Sequence, residues 1–235
     1  MGLHRLTIEQ TPPPPGSTIV LAGDEAWHAV AVKRVQAGDR VELLDGRGGV
    51  AAALVTATDK RKRDASVHLR IESFSLVDPV SPAVEVWSAV PKADRAAQMI
   101  DQLAQAGAAL WRPLIAERSV TDADHKAERL QRIAAEASKQ CGRAWHLQLG
   151  PAADVPEAAR LASSAPVLVA DAGGTPPSQA PRAARLIVLI GPEGGFTDGE
   201  LGSLQAAGAA TLRLGPHVLR TETAAVAAAV ALLCR

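Results

Sequence analysis

Two short stretches near the end of this 235-residue chain carry the residues best suited to hold a ligand. The first is IGPEGGFTDGE (190–200), where Gly191, Gly194 and Gly195 follow the apolar run RLIVLI (185–190). A glycine-rich turn between a strand and a helix lets backbone N–H groups approach a ligand closely. The second is GPHVLRTETAAV (215–226), which follows the strand-like TLRL (211–214) and leads into an alanine-rich helix. Each has a plain structural reading by itself. The first closes a strand with a Gly-Pro turn, and the second starts a helix with Thr221 as N-cap and Glu222 favouring the N-terminal dipole. As strand-end loops of successive βα units, however, the two build one crevice at the carboxyl ends of a parallel sheet.

Several familiar chemistries are disfavoured by spacing. The glycines do not match the G-x-G-x-x-G dinucleotide turn and lie late in the chain. No G-x-x-x-x-G-K-[ST] and no G-x-S-x-G hydrolase elbow occurs. The six histidines show no metal-ligand spacing, and Cys141 and Cys234 fit neither a zinc site nor a disulfide framework. No metal is expected. Lys+Arg and Asp+Glu balance at 25 each, which argues against a protein that grips nucleic acid by bulk charge but leaves room for local basic patches. The N-terminus has no apolar signal region, and the longest apolar stretch (224–234) is far short of a membrane span. A cytoplasmic location is the default expectation.

The elements that must position these loops fall in two parts. Residues 1–77 read as short strands (18–21, 39–46, 49–58 and 65–76), with DGRGG (45–49) as a hairpin turn. A helix is expected over 24–34, with Asp24 as N-cap. Residues 78–82, inside the proline-punctuated VDPVSP, read as a linker. From residue 83 strands alternate with helices to the end of the chain, which predicts an α/β domain (83–235) with a parallel sheet covered on both faces. AGGTPPSQAP (172–181) reads as an irregular loop, and no internal repeat is found. With aromatics at only 3 %, alanine and the aliphatic residues must make the core.

LIGPEGGFTDGE and LRLGPHVLRTETAAVAA resemble the two signature loops of the SPOUT superfamily and, more closely, of the ribosomal RNA small subunit methyltransferase E family. PKADR (91–95), RPLIAERS (112–119) and EASKQCGR (136–143) extend the resemblance over essentially the whole chain. It implies a PUA-like N-terminal β-barrel, a C-terminal domain with a deep trefoil knot, S-adenosyl-L-methionine as cofactor and an obligate homodimer. It also implies the activity, methylation of N3 of a uridine in the decoding region of small-subunit (16S) rRNA. The cofactor is then assigned to Ile190, Gly191, Pro192, Glu193, Gly194 and Gly195 of one loop. Leu214, Gly215, Val218, Leu219, Arg220, Thr221 and Thr223 of the other complete its site. Glu193 and the run Arg220–Thr223 border the methyl-transfer end. The chain departs from the family pattern at 101–108, where Asp101-Gln102 and QAGA replace the expected residues.

Under this resemblance the site must hold a uracil, assist loss of its N3 proton and present the base to a sulfonium methyl. An arginine near the base stabilises the developing anion. Arg220 is the first candidate, and Arg118 and Arg143 are others that a second protomer can supply. Glu222 is the candidate proton acceptor, against a purely structural role at a helix start. Attack through a ring nitrogen needs no enzyme thiol, so Cys141 is not required as a nucleophile. RNA contacts are expected from His4, Arg5, His28, Lys33, Arg34, Arg61, Lys62 and Arg63, the last three in DKRKRD, which composition alone reads as a solvated turn. The expected partner is small-subunit rRNA, recognised in an assembled subunit by shape as well as charge. Three alternatives stay open: a SPOUT enzyme for tRNA or large-subunit rRNA, a dinucleotide-dependent oxidoreductase, and a non-catalytic RNA-binding protein of the same fold.

Overall fold

The computed structural model describes residues 3–61, 64–92, 94–120 and 127–235. They form two compact units, one of residues 1–79 with 138–146, the other of 80–137 with 147–235.

In the first unit, strands β1 (His4–Thr7), β2 (Thr18–Ala22), β3 (Arg40–Leu44), β4 (Gly49–Asp59) and β5 (Ser66–Leu76) make one sheet in the order β1-β3-β4-β5-β2. Only the β1–β3 pair is parallel. Along β4 buried and half-buried residues alternate, as a sheet with one packed face requires. Val41, Leu43, Ala53, Val55, Leu69 and Ile71 build the core on that face. The expected hairpin at 45–49 forms, and Asp45 accepts backbone hydrogen bonds from Arg47 at 2.7 Å and Gly49 at 2.8 Å.

The helix expected over 24–34 is instead a five-residue turn of helix, α1 (Gly23–Trp27), running into a π-helical turn (His28–Val32). Asp24 is not its N-cap. Ala22 takes that position without a side-chain bond, and Asp24 lies in the first turn, where its charge still favours the helix dipole.

Residues 138–146, placed by the sequence reading in the second domain, cluster with the first unit. Their contacts are specific. Trp145 Nε1 donates to the Val77 carbonyl at 2.7 Å, His146 N to Gly46 at 3.0 Å, and Lys139 Nζ to Glu25 Oε2 at 3.0 Å. Hydrophobic periodicity could not announce this, because these are polar and backbone contacts made far along the chain.

The second unit is the expected α/β layer structure. Its sheet runs β12 (Ala210–Leu212), β10 (Val167–Thr175), β11 (Arg185–Ile190), β6 (Ala83–Ser88), β7 (Leu110–Ile115), β8 (Gln148–Leu149), with β9 (Ala153–Asp154) also on β7. Every pairing is parallel. β6 and β11 are buried on both faces, hence the apolar run of β11, while the buried Glu85 and Ser88 of β6 are satisfied by Arg185 and Trp111. One face carries α2 (Arg95–Ala106), residues 127–137 of α3 (Ala127–Cys141) and α6 (Thr221–Leu233), and the other carries α4 (Val155–Leu161) and α5 (Asp198–Ala206). Ala224, Ala225, Ala228 and Ala229 of α6 are buried, so small side chains let this helix lie close against its neighbours. No described helix is long and apolar enough to cross a membrane.

The loop expected at 172–181 is more ordered than its composition suggests. β10 continues to Thr175, and Pro177–Gln179 form a 3-10 turn. Gly174 makes the extension possible, since a Cβ there would lie 2.6 Å from the Leu212 backbone of β12.

Candidate functional site

β10, β11 and β12 are adjacent and parallel, so their carboxyl ends open on the same edge of the sheet. A crevice of about 800 Å3 lies there. From the first sequence-predicted loop it is lined by Ile190, Gly191, Pro192, Glu193 and Gly195, and from the second by Leu214, Gly215, Val218, Leu219, Arg220 and Thr221. Gly194 and Thr223 are not on its wall. Residues the sequence reading missed are Arg95, Phe196, Leu201, Leu212, His217 and Ala224, together with Ala170, Asp171 and Ala172 in the middle of β10. VLVADA reads as a strand in the sequence, but nothing there says that it meets the two loops.

The glycine turn closes through a 2.8 Å hydrogen bond from Gly195 N to the Pro192 carbonyl. Gly195 has φ +69°, and nothing lies within 4 Å of where its Cβ would stand. Gly215 faces equally open space. After the turn, Thr197 and Glu200 form a reciprocal capping box that starts α5.

The second loop enters α6 differently from expectation. Thr221 is not the N-cap; Arg220 holds that position and makes no side-chain capping bond. Thr221 is the first helical residue, and its hydroxyl donates instead to the Gly191 carbonyl at 3.3 Å, tying the two loops together. Leu214 and Leu219 pack against the core. Val218 is 92 % exposed, so it does not seal the core and presents an apolar surface to the crevice.

Arg95, the first residue of α2, makes a second tie. One arm of its guanidinium reaches Glu193 Oε1 at 3.2 Å and the other Glu222 Oε1 at 3.5 Å. Glu222 has only 12 % of its side chain exposed, lines neither this crevice nor the cavity behind the turn, and its Oε2 is buried without a hydrogen-bond partner among the described residues. In this placement it pairs with Arg95 behind the crevice wall. Arg220 is exposed on the crevice wall.

The remaining candidates lie elsewhere. Arg118 stands behind the glycine turn, its Nη1 donating to the Gly194 carbonyl at 2.7 Å. Arg143 belongs to the first unit, where burial pulls its pKa below the usual guanidinium range. Burial, and then the charge of Arg143, likewise lower the pKa of the half-buried His146. Cys141 is exposed, with its thiol directed at the Ser138 carbonyl at 3.4 Å.

Among the expected RNA contacts, His4 is half-buried on β1, and Arg5 pairs with Glu42 at 2.9 Å while donating to the Gln140 carbonyl. Lys33 Nζ donates to the Arg5 carbonyl at 2.7 Å. His28 opens the π-helical turn, and Arg34 is exposed. Arg61 is exposed and pairs with Asp59 at 2.6 Å. Lys62 and Arg63 lie outside the described residues.

Comparison with known proteins matches residues 79–233 to an RNA methyltransferase domain and residues 21–66 to an RNA methyltransferase PUA domain. The chain is 33 % identical over 231 residues to ribosomal RNA small subunit methyltransferase E of Mycobacterium bovis, covering 93 % of this chain and 87 % of that protein. The crystal structure of the same-named Neisseria gonorrhoeae protein, bound to S-adenosyl methionine, superposes with a TM-score of 0.87 at 25 % identity, covering 99 % and 98 % of the two chains. A Legionella pneumophila protein solved with bound SAM gives a TM-score of 0.86 at 28 % identity, covering 100 % and 98 %.

Proposed function

Because the chain belongs to the ribosomal RNA small subunit methyltransferase E family, we propose that it transfers the methyl group of S-adenosylmethionine to N3 of a uridine in the decoding region of small-subunit rRNA. The observation that carries this reading is the crevice itself, in which β10 and the ends of β11 and β12 meet the two signature loops.

The residues present suit the cofactor. Leu212, Leu214, Val218 and Leu219 offer an apolar wall for a purine ring, and the open faces at Gly195 and Gly215 leave backbone groups within reach of a ligand. Asp171 and Glu193 stand with Arg95 and Arg220 on the crevice wall, so it presents both charge signs to a ligand that carries ammonium, carboxylate and sulfonium groups. When bound, the cofactor supplies an electrophilic sulfonium methyl. The chain must then hold the base in line with it, keep both loops in register and favour the N3 anion. Thr221 and Arg95 hold the register, and Arg220 favours the anion. With Glu222 engaged by Arg95, the N3 proton leaves to solvent through the open side of the crevice.

The first unit serves as the PUA-like, barrel-forming RNA-binding part, and the second as the knotted catalytic part. Two chains form a homodimer through the second unit, where Val230 leaves an apolar spot on the outer face of α6. The work is done in the cytoplasm, where small subunits are assembled. The deciding experiment incubates the protein with methyl-labelled S-adenosylmethionine and small ribosomal subunits, free rRNA or tRNA, then maps the modified nucleoside. Label at uridine N3 of small-subunit rRNA is expected. Label in tRNA or large-subunit rRNA would move the assignment to another RNA, and binding without transfer would make the chain a non-catalytic relative.

A further inference from the structure

A second, smaller cavity of about 50 Å3 lies on the other side of the glycine turn. Lys92, Arg118, Ser119, Glu193, Gly194 and Thr221 line it, and Glu193 and Thr221 face the main crevice as well. The two spaces are thus separated by the thickness of one loop. From this we infer that the small cavity is a phosphate socket, which takes a backbone phosphate of the RNA strand whose base enters the crevice. The inference rests on the rRNA methyltransferase reading above.

Charge is the first argument. Lys92 and Arg118 bring two cations to the rim, and among the described residues neither is in an ion pair with a carboxylate. The one acid on the wall, Glu193, already faces the Arg95 guanidinium at 3.2 Å. Among the described residues the socket is therefore net positive and presents uncompensated donors. Preorganisation is the second argument. Arg118 Nη1 is fixed on the Gly194 carbonyl at 2.7 Å, which orients the guanidinium and leaves its other N–H groups for an oxyanion. An arginine already held in place loses less side-chain entropy when it binds.

Size is the third. At about 50 Å3 the space is small beside the 800 Å3 crevice, so it suits a compact group such as a phosphate at its mouth and leaves the crevice as the place for a base. Phosphate contacts of this kind position a nucleic acid without reading its sequence. Here one would fix the strand a loop's width from the reacting base. The carboxylate of the cofactor's methionine moiety shares the same anion chemistry, so the test must separate the two sources.

The experiment measures binding of full-length protein to fluorescent small-subunit rRNA over a series of potassium chloride concentrations. Wild type is compared with Lys92→Ala, Arg118→Gln, Arg118→Lys and the Lys92→Ala/Arg118→Gln double variant, each checked by thermal melting. The double variant is expected to bind more weakly, with the slope of log affinity against log salt shallower by about 0.7, the release from one single-strand phosphate. Arg118→Lys should keep most of the wild-type slope. Calorimetric affinity for S-adenosylhomocysteine should not change in Lys92→Ala, and any loss in Arg118→Gln, which also frees the Gly194 carbonyl of the glycine turn, should be shared equally by 5′-methylthioadenosine. An unchanged slope in the double variant overturns the socket. So does a loss of S-adenosylhomocysteine affinity in Arg118→Gln with 5′-methylthioadenosine affinity intact, which would give the site to the cofactor's carboxylate. A wild-type protein with no salt-dependent rRNA binding overturns the socket, while the enzyme assignment is decided separately by the labelling experiment on assembled subunits.

Discussion

The Arg95 guanidinium stands 3.5 Å from the Glu222 carboxylate at the start of α6 and holds Glu193 of the glycine turn with its other arm. One side chain from a third element thus braces both walls of the crevice. Arg95→Met, which keeps most of the side-chain length and removes the charge, is expected to weaken S-adenosylhomocysteine binding about tenfold, or ~1.4 kcal/mol. Glu222→Gln should weaken it less, and the double variant should be no worse than Arg95→Met alone, because both disrupt one interaction. Titration calorimetry on the four proteins checks this. Fully additive losses would make the two residues independent.

Gly195 and Gly215 separate strain from obstruction. Both face open space, but only Gly195 has a left-handed φ, which costs a residue with a Cβ roughly 1–2 kcal/mol. Gly195→Val should therefore lower the melting temperature as well as block the ligand. Gly215→Val should block the ligand with the melting temperature of the free protein little changed. Melting curves with and without S-adenosylhomocysteine distinguish the two, since a bound ligand raises the transition only where it still binds.

The crevice was legible in the sequence because both of its main loops are contiguous and each follows an apolar strand. Eleven of the thirteen residues assigned to the cofactor line it. What sequence reasoning missed comes from elsewhere in the chain. Arg95 sits in PKADR with no local sign that it faces residues 98 and 127 positions away. Thr221 carries the pattern of an N-cap, yet the Gly191 carbonyl takes its hydroxyl, and no local rule anticipates a tertiary acceptor. The segment 138–146 was assigned by continuity along the chain, while its partners are backbone carbonyls and a carboxylate of the first unit.

That segment bears on how the chain can be dissected. Lys139 is buried and pairs with Glu25, which also accepts from Thr7 N at 2.9 Å. Glu25→Ala in the full-length protein is expected to cost roughly 3 kcal/mol, the low end for removing one partner of a buried pair. Chemical denaturation would show it as a lower midpoint with unchanged slope. A chain cut to residues 80–235 would leave Lys139 and Trp145 without these partners. It should melt well below the full-length protein, and equal stability would overturn this account of the segment.

Acid sensitivity should trace in part to His146. Its pKa is lowered chiefly by burial and then by Arg143 and Lys139, with Asp45 opposing. A depressed folded pKa means that the unfolded state binds the proton more readily. The contribution is therefore complete above the unfolded value of about 6.5 and is lost as pH falls from there toward the folded value. The expected result is a wild-type melting temperature that drops more steeply below about pH 6.5 than that of His146→Gln. Parallel curves would remove His146 from the account.

The chemistry itself offers the sharpest test. If N3 attacks directly once its proton has left, no thiol takes part. Cys141, whose thiol rests on the Ser138 carbonyl at 3.4 Å, should then be replaceable, and Cys141→Ser should keep most of the methyl transfer. If Arg220 steadies the anion from the crevice wall, Arg220→Ala should slow single-turnover transfer at least about tenfold, the scale of losing one electrostatic stabiliser, while changing cofactor affinity much less. Its rate should recover as pH rises toward the uracil pKa, because the anion then forms without help. Glu222→Gln makes the complementary case. With one oxygen on Arg95 and the other covered, Glu222 is not positioned to take the proton, so its pH–rate profile should run parallel to wild type at a lower level. A Glu222→Gln enzyme that is slow near neutral pH and recovers in base would return the proton-acceptor role to that residue. A folded but inactive Cys141→Ser enzyme would overturn direct attack.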